Sequence, residues 1–177
     1  MELDKVLDAR RSVRAYENKP VDKALLDEMI KAAQKAPTWK NSQTGRYYVV
    51  SSEAKLEAVK ACLPEFNRKN CADAPVIIVT AYEMKRSGFD REGNADNELG
   101  DKWGAYDLGL QNGNLLLKAK DLGLDTLVMG LRDASALREV LGIPESQEVV
   151  SVISVGYSTA TPEMPKRKEL EAVATFF

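Results

Sequence analysis

The sequence predicts an α+β fold in which helices cover a sheet. Four apolar runs read as strands: Arg46 to Ser51, Val76 to Ala81, Asp125 to Met129 and Glu148 to Gly156. Single helices and helix pairs separate them, without the strict β-α-β alternation of a doubly wound fold. No GxGxxG follows a strand and no P-loop is present, which argues against a dinucleotide-binding architecture. At 177 residues the chain reads as one domain spanning 1–177.

The elements follow from local pattern. Glu2 to Arg11 reads as a helix with Leu3, Val6 and Leu7 on one face. Asp22 is an N-cap candidate for a helix from Lys23 to Lys35, which Ala36-Pro37 ends. Glu53 to Cys62 reads as a helix stopped near Pro64, with Phe66-Asn67 in a connector. Val76 to Ala81 is continuously apolar, as in a central strand. Met84 to Glu98 is polar and holds Gly88 and Gly93, so it reads as a mobile loop.

The stretch from Gly104 to Leu131 organises the rest. Its apolar residues recur at mixed three- and four-residue spacings, so the helix reads as buried on most of its circumference. Gly109 and Gly113 share a face, and each costs roughly 1 kcal/mol of helix propensity. The spacing predicts a backbone packed closely there, in this chain or a second copy. Gly123 reads as the helix stop, and Gly130 as a turn closing the next strand. Ser135 is the expected cap of a short helix ended by Gly142 and Pro144. Leu170 to Phe177 is a last apolar segment behind the basic triplet Lys166-Arg167-Lys168.

Composition narrows the function. Net charge is −2, so no overall basic field points to nucleic acid, and no apolar run approaches the ~20 residues of a membrane span. Cys62 and Cys71 have no metal-ligand spacing and read as free thiols in a reducing cytoplasm. Histidine is absent, which removes Ser-His-Asp and Cys-His catalysis. An enzyme of this composition leans on a cofactor. Arg10, Arg11, Ser12 and Arg14 form a dense donor cluster. It suits phosphate oxygens, or else complements a helix C-terminus. The loop Thr38 to Gly45 groups amides and hydroxyls suited to a heterocycle edge.

These residues bring a family into view. Arg10-Arg11-Ser12-Val13-Arg14, Ala36-Pro37-Thr38 with Asn41-x-Gln43, and Phe66-Asn67 before Asp73-Ala74-Pro75 resemble motifs of the nitroreductase family. So do Asn114-Leu115-Leu116-Leu117, Leu122-Gly123-Leu124, Met129-Gly130 and the basic segment before Glu169-Leu170-Glu171. The motifs stand in the family's order over nearly the whole chain. The family usually has Ser where Thr38 stands and often Trp where Gly45 stands.

The resemblance implies a three-layer α/β/α sandwich with a mainly antiparallel sheet and a C-terminal segment exchanged between subunits. It implies a cytoplasmic homodimer with FMN at the interface and NADH or NADPH as reductant. Arg10, Arg11, Ser12 and Arg14, with Lys166 and Lys168, would hold the flavin's phosphate and pyrimidine edge. Pro37, Thr38 and Asn41 would come from the partner, with Gln43 supporting their loop. Asn67 would reach the ring, and the backbone of Val128, Met129, Gly130 and Leu131 would lie by flavin N5. Nitroaromatics, quinones or similar small molecules would accept the electrons, in ping-pong turnover, with no membrane or nucleic-acid partner. Two alternatives stay open: a non-catalytic flavin-binding or sensing module, and a flavin enzyme of the same fold that dehalogenates or fragments its substrate.

Overall fold

The central strands are apolar on both sides, so helices must cover both faces of the sheet. The computed structural model describes residues 2–177; Met1, the first residue of the expected single domain, lies outside them. Helices α1 (Leu3–Ala9) and α2 (Lys23–Ala33) come first. Then follow β1 (Gly45–Val50), α3 (Glu53–Ala61), α4 (Glu65–Asn70) and β2 (Val76–Glu83). The long α5 (Lys102–Asp121), β3 (Asp125–Met129), α6 (Ala134–Leu141) and β4 (Gln147–Gly156) complete the elements. The four strands form one sheet in the order β1-β2-β4-β3, antiparallel at every step.

Alternation along β2 builds the layers. Ile77 and Val79 pack on one side with Leu56 and Val59 of α3 and Leu137 of α6. Val76 and Ile78 pack on the other with Leu26 and Met29 of α2 and Leu115 and Ala119 of α5. This is the expected three-layer α/β/α sandwich. The Thr80 and Ser151 hydroxyls, buried in the sheet, satisfy each other at 2.8 Å. No helix among the described residues is long and apolar enough to cross a membrane. Cys62 and Cys71 are free and buried, and burial pushes both thiols up, away from the reactive thiolate.

Several boundaries are where local chemistry puts them. The Asp22 carboxylate accepts the Ala24 N–H at 2.9 Å, and Gly123 and Gly142 take the left-handed conformation at φ 80 and 64. Others differ. Phe66 and Asn67 lie in α4 rather than a connector, with Phe66 exposed and Asn67 buried. Six residues are too few to show a helical period. Asp133, not Ser135, caps α6: its carboxylate accepts the Ala136 N–H at 2.9 Å, and Ser135 is already inside the helix.

The largest difference concerns α5. One stripe is buried, through Gly104, Leu108, Gln111, Leu115 and Ala119, while Tyr106 and Leu110 face outward at 58% and 37% exposure. A Cβ at Gly109 or Gly113 would meet nothing within 4 Å, so no backbone of this chain packs there. The close approaches fall elsewhere. A Cβ on Gly104 would lie 2.2 Å from the Tyr82 ring, and one on Gly45 would lie 1.8 Å from Gln111 Oε1. Gln111 thus fills the space that a larger residue at position 45 would need.

These glycines make opposite predictions. Gly104→Ala should destabilise the fold by about 1–3 kcal/mol through overpacking against Tyr82. Gly109→Ala should raise the intrinsic stability of the helix by roughly 0.5–1 kcal/mol. If a second copy packs on that face, the same substitution should weaken self-association. Thermal melts and sedimentation of both variants separate the two effects.

Candidate functional site

Helix α1 stops early, and that decides how the arginine cluster reads. The helix ends at Ala9, and Arg10 already has extended backbone. Arg11 donates to the carbonyls of Asp8 at 2.6 Å and Arg10 at 2.9 Å, and its Nε to Pro162 O at 3.2 Å. Arg11 therefore caps the helix and ties down the chain after β4. Arg14 lies several residues beyond the last turn, outside the reach of the helix dipole. Among the described residues its side chain makes one hydrogen bond, to Ser12 O at 3.3 Å. Among the described residues, no carboxylate pairs with Arg10 or Arg14.

The segment then runs beside an edge strand. Ser12 bridges Thr126 in parallel, and Val13 N–H donates to Thr126 O at 3.0 Å. β3 otherwise pairs only with β4, so its outer edge is open from Val128 onward. Val128 and Leu131 are exposed, Met129 is buried, and the Gly130 backbone is accessible. Buried Asn67 donates from Nδ2 to Leu131 O at 2.8 Å. Arg132 donates to Gly130 O at 2.9 Å and to Val149 O, and its Nε is buried without a partner. Two side chains thus hold the turn after β3 rigid. From Val128 to Gly130 the open edge advances two residues, or ~7 Å, beyond the part that Ser12 and Val13 cover at Thr126. Cationic donors stand at one end and a braced turn at the other.

The loop Thr38 to Gly45 sits elsewhere. Lys40, Asn41 and Gln43 have positive φ of 47, 57 and 51, rare for residues other than glycine. Each costs of order 1–3 kcal/mol and persists only where surrounding structure enforces it. Thr38 Oγ1 accepts the Gln43 N–H at 3.1 Å, and Gln43 Nε2 lies 3.5 Å from Asn41 O. Pro37, Asn41 and Gln43 are exposed and Thr38 is half-buried.

The anchor of this loop is Asp107 on α5, a residue the sequence pattern did not single out. At 2% exposure its Oδ2 accepts the Trp39 N–H at 2.9 Å and the Ser87 hydroxyl at 2.7 Å. Ser87 in turn contacts Ser42 Oγ at 2.7 Å and Thr44 Oγ1 at 3.2 Å. Trp39 and Trp103 pack with ring centroids 4.6 Å apart, and Trp103 Nε1 donates to Asn97 Oδ1 at 2.9 Å. The root of the Met84–Glu98 loop is therefore fastened rather than mobile. A polar residue on the buried stripe of a helix was the signal that could have found Asp107.

The two ends of α5 meet different segments of the chain. Asp107 lies near the start of α5. Leu3 and Val6 of α1 line a cavity with Asn114, Leu117 and Lys118, toward its end. That separation is ~10–16 Å along the helix axis. Lys166 and Lys168 are exposed in the extended C-terminal stretch, where Lys166 approaches only Glu169 at 4.0 Å. Among the described residues, no hydrogen bond or ion pair joins them, or the Thr38–Gln43 loop, to Arg10–Arg14.

The profile of the nitroreductase family matches residues 7–70 and 60–157. The chain belongs to the nitroreductase family. It is 27% identical over 197 residues to an NADH dehydrogenase of Thermus thermophilus, covering 95% of each chain. A nitroreductase family protein of Streptococcus pneumoniae superposes with a TM-score of 0.87 at 21% identity, over 99% of this chain and 100% of that one. An FMN-dependent nitroreductase of Clostridium difficile is similar at TM-score 0.70 and 28% identity, over 95% and 92%. The nitroreductase fold is thus the fold of this chain.

Asp107 carries the testable prediction. Asp107→Ala leaves the half-buried Trp39 N–H without its acceptor and the Ser87 hydroxyl with only Ser42 and Thr44, and should cost about 1–3 kcal/mol of stability. Hydrogen exchange should accelerate together in the 38–44 and 84–98 segments, with Asp107→Asn intermediate. Stability within about 0.5 kcal/mol of the native protein would show that the carboxylate anchors nothing.

Proposed function

We propose that this nitroreductase binds FMN along the open edge of β3 and uses NAD(P)H to reduce nitroaromatics, quinones or similar acceptors. The open strand edge, with uncommitted guanidinium groups at one end and a braced turn at the other, carries the reading. An elongated ligand with a phosphate and a planar heterocycle has the matching chemistry. Arg10, Ser12 and Arg14 supply donors at the phosphate and pyrimidine end, with Lys166 and Lys168 as further cations. Backbone groups of Val128 to Leu131, held by Asn67 and Arg132, face the other end. The buried, unpartnered Nε of Arg132 leaves a donor beside this turn. Bound there, FMN supplies hydride transfer through its N5. The chain's own residues orient the ring, exclude water and place positive potential where charge develops. No acid or base residue is assigned, in keeping with a chain without histidine.

The site is completed by a second copy. Among the described residues no hydrogen bond or ion pair joins Pro37, Thr38 or Asn41 to their own chain's arginine cluster, and in this reading a partner supplies them. Apolar side chains that this chain leaves uncovered support the same reading. Leu3 and Leu7 of α1, Tyr106 and Leu110 of α5, and Leu170, Val173 and Phe176 of the C-terminal stretch are all exposed. That stretch holds one short 3-10 turn, Leu170–Ala172, and pairs with no strand of its own chain. Exchange onto the partner's sheet gives it a surface to cover.

Two measurements test the proposal. Titration of apoprotein with FMN should show Arg14→Ala weakened by roughly 10- to 150-fold, the worth of one charge-assisted hydrogen bond, with the melting curve little changed. A colourless protein that takes up no FMN would end the reading. Reductant and acceptor should share one open site in turn, giving parallel double-reciprocal plots. Intersecting plots in a flavin-loaded protein would reject the shared site and leave flavin binding intact.

A further inference from the structure

A second group of cations lies outside the β3 edge. After β2 the chain from Lys85 to Gly93 curls back on Lys40 and Ser42 and encloses a cavity of about 620 Å³. Lys40, Lys85, Arg86 and Arg91 line it, with Asp90 and Glu92 as the acidic residues. One of these charges is already neutralised, and one carboxylate is held by a neutral amide. Lys40 Nζ pairs with Asp96 at 2.6 Å. The Asp90 carboxylate accepts the Asn94 N–H at 2.8 Å and Nδ2 at 3.1 Å. Lys85, Arg86 and Arg91 form no ion pair, and their side chains make no hydrogen bond, among the described residues. Three uncommitted cations therefore face two carboxylates, Asp90 and Glu92, an excess of one positive charge in a chain of net charge −2.

Lys85 and Lys40 both take positive φ, 55 and 47, where glycine would be free of strain. The half-buried Phe89 gives the lining an aromatic side. The cavity also shares Lys40 and Ser42 with the loop assigned above to the partner's flavin.

We propose that this cavity is an anion subsite for the ribose 2′-phosphate of the reductant, so that NADPH is preferred to NADH. The inference rests on the oxidoreductase reading and names its electron donor. A phosphate monoester carries about −1.5 to −2 charge at neutral pH, more than either group of a pyrophosphate diester. Two arginine forks and a lysine match that dianion. Phe89 suits the adjoining adenine, since an aromatic ring stacks on a flat base. The cavity is within the usual size of small-molecule pockets, about 300–1,000 Å³.

Calorimetry on the purified full chain, as isolated and at low ionic strength, tests this without turnover. The probes are adenosine 2′,5′-bisphosphate, adenosine 5′-monophosphate and inorganic phosphate. The bisphosphate should bind at least about tenfold more tightly than the monophosphate. Arg86→Ala/Arg91→Ala should bring the two nucleotides to within about twofold, while Lys31→Ala, a charge lost elsewhere, should keep the preference. Added salt should weaken the bisphosphate most. Inorganic phosphate as tight as the bisphosphate would mean a plain phosphate site and overturn the nucleotide assignment. Equal affinities in the native chain, or a preference that survives the double substitution, would overturn the subsite. Flavin absorbance and a melting curve on the same samples keep the two readings apart. A colourless chain that prefers the bisphosphate rejects only FMN binding; a yellow chain without preference rejects only the subsite.

Discussion

A carboxylate buried on α5 sets the terms for both loops at that end of the molecule. A charge taken out of water must find donors, or it destabilises the fold by several kcal/mol. Asp107 finds them in the Trp39 N–H and the Ser87 hydroxyl rather than in a cation. Each hydrogen bond to a charged group contributes about 1.5–3 kcal/mol. That is the scale of the strain at Lys40, Asn41 and Gln43, of order 1–3 kcal/mol per residue. The strained loop and its anchor therefore belong together. Without Asp107 the chain between Pro37 and Gly45 would relax, and the polar groups offered to a ligand would lose their positions.

The sheet imposes the second constraint. β2 and β4 are covered on both faces, whereas β3 is an edge that its own chain meets only at Thr126. Open edges invite pairing or must be blocked. Here the edge is left open beside three arginines, and the apolar C-terminal stretch that could cover a sheet edge lies unpaired in the same chain. An open edge and an uncovered apolar segment on one polypeptide leave two surfaces unburied within the chain.

Legibility in the sequence followed the strength of the local physics. The run Val76 to Ala81 was readable because a strand buried on both faces has no polar alternation to disguise it. Asp22, Gly123 and Gly142 were readable because a cap oxygen or a left-handed backbone is a local requirement. α4 was not, being shorter than two helical turns. Competition between Asp133 and Ser135 for one cap depends on where the helix begins, which packing decides. The circumference of α5 was misread because apolar residues do not announce whether their own chain or another covers them. At the site, the motifs marked Arg10–Arg14, the Thr38 loop and the turn at Gly130. They did not mark Asp107 or Ser87, whose role exists only once residues 20 positions apart meet a third loop.

The distribution of charge ties these features together. Among the described residues, lysine supplies nearly all the ion pairs, with Lys23, Lys69 and Lys118 matched to carboxylates three or four positions along their own helices. Arg46, with Glu83, is the one arginine so paired. Such exposed pairs add little stability, but they neutralise the helix surfaces. The guanidinium groups do different work. Arg11 and Arg132 hold backbone carbonyls, fixing the chain after β4 and the turn after β3. Arg10, Arg14, Arg86 and Arg91 hold no carboxylate. Two groups of guanidiniums without a carboxylate partner thus stand in a chain of net charge −2. One group lies at the start of the β3 edge and the other beside the strained loop, in the residue type whose planar fork best matches phosphate. Lysines matched to carboxylates on the helices add little to the local field, so these guanidinium groups set the potential an anionic ligand would meet at either place.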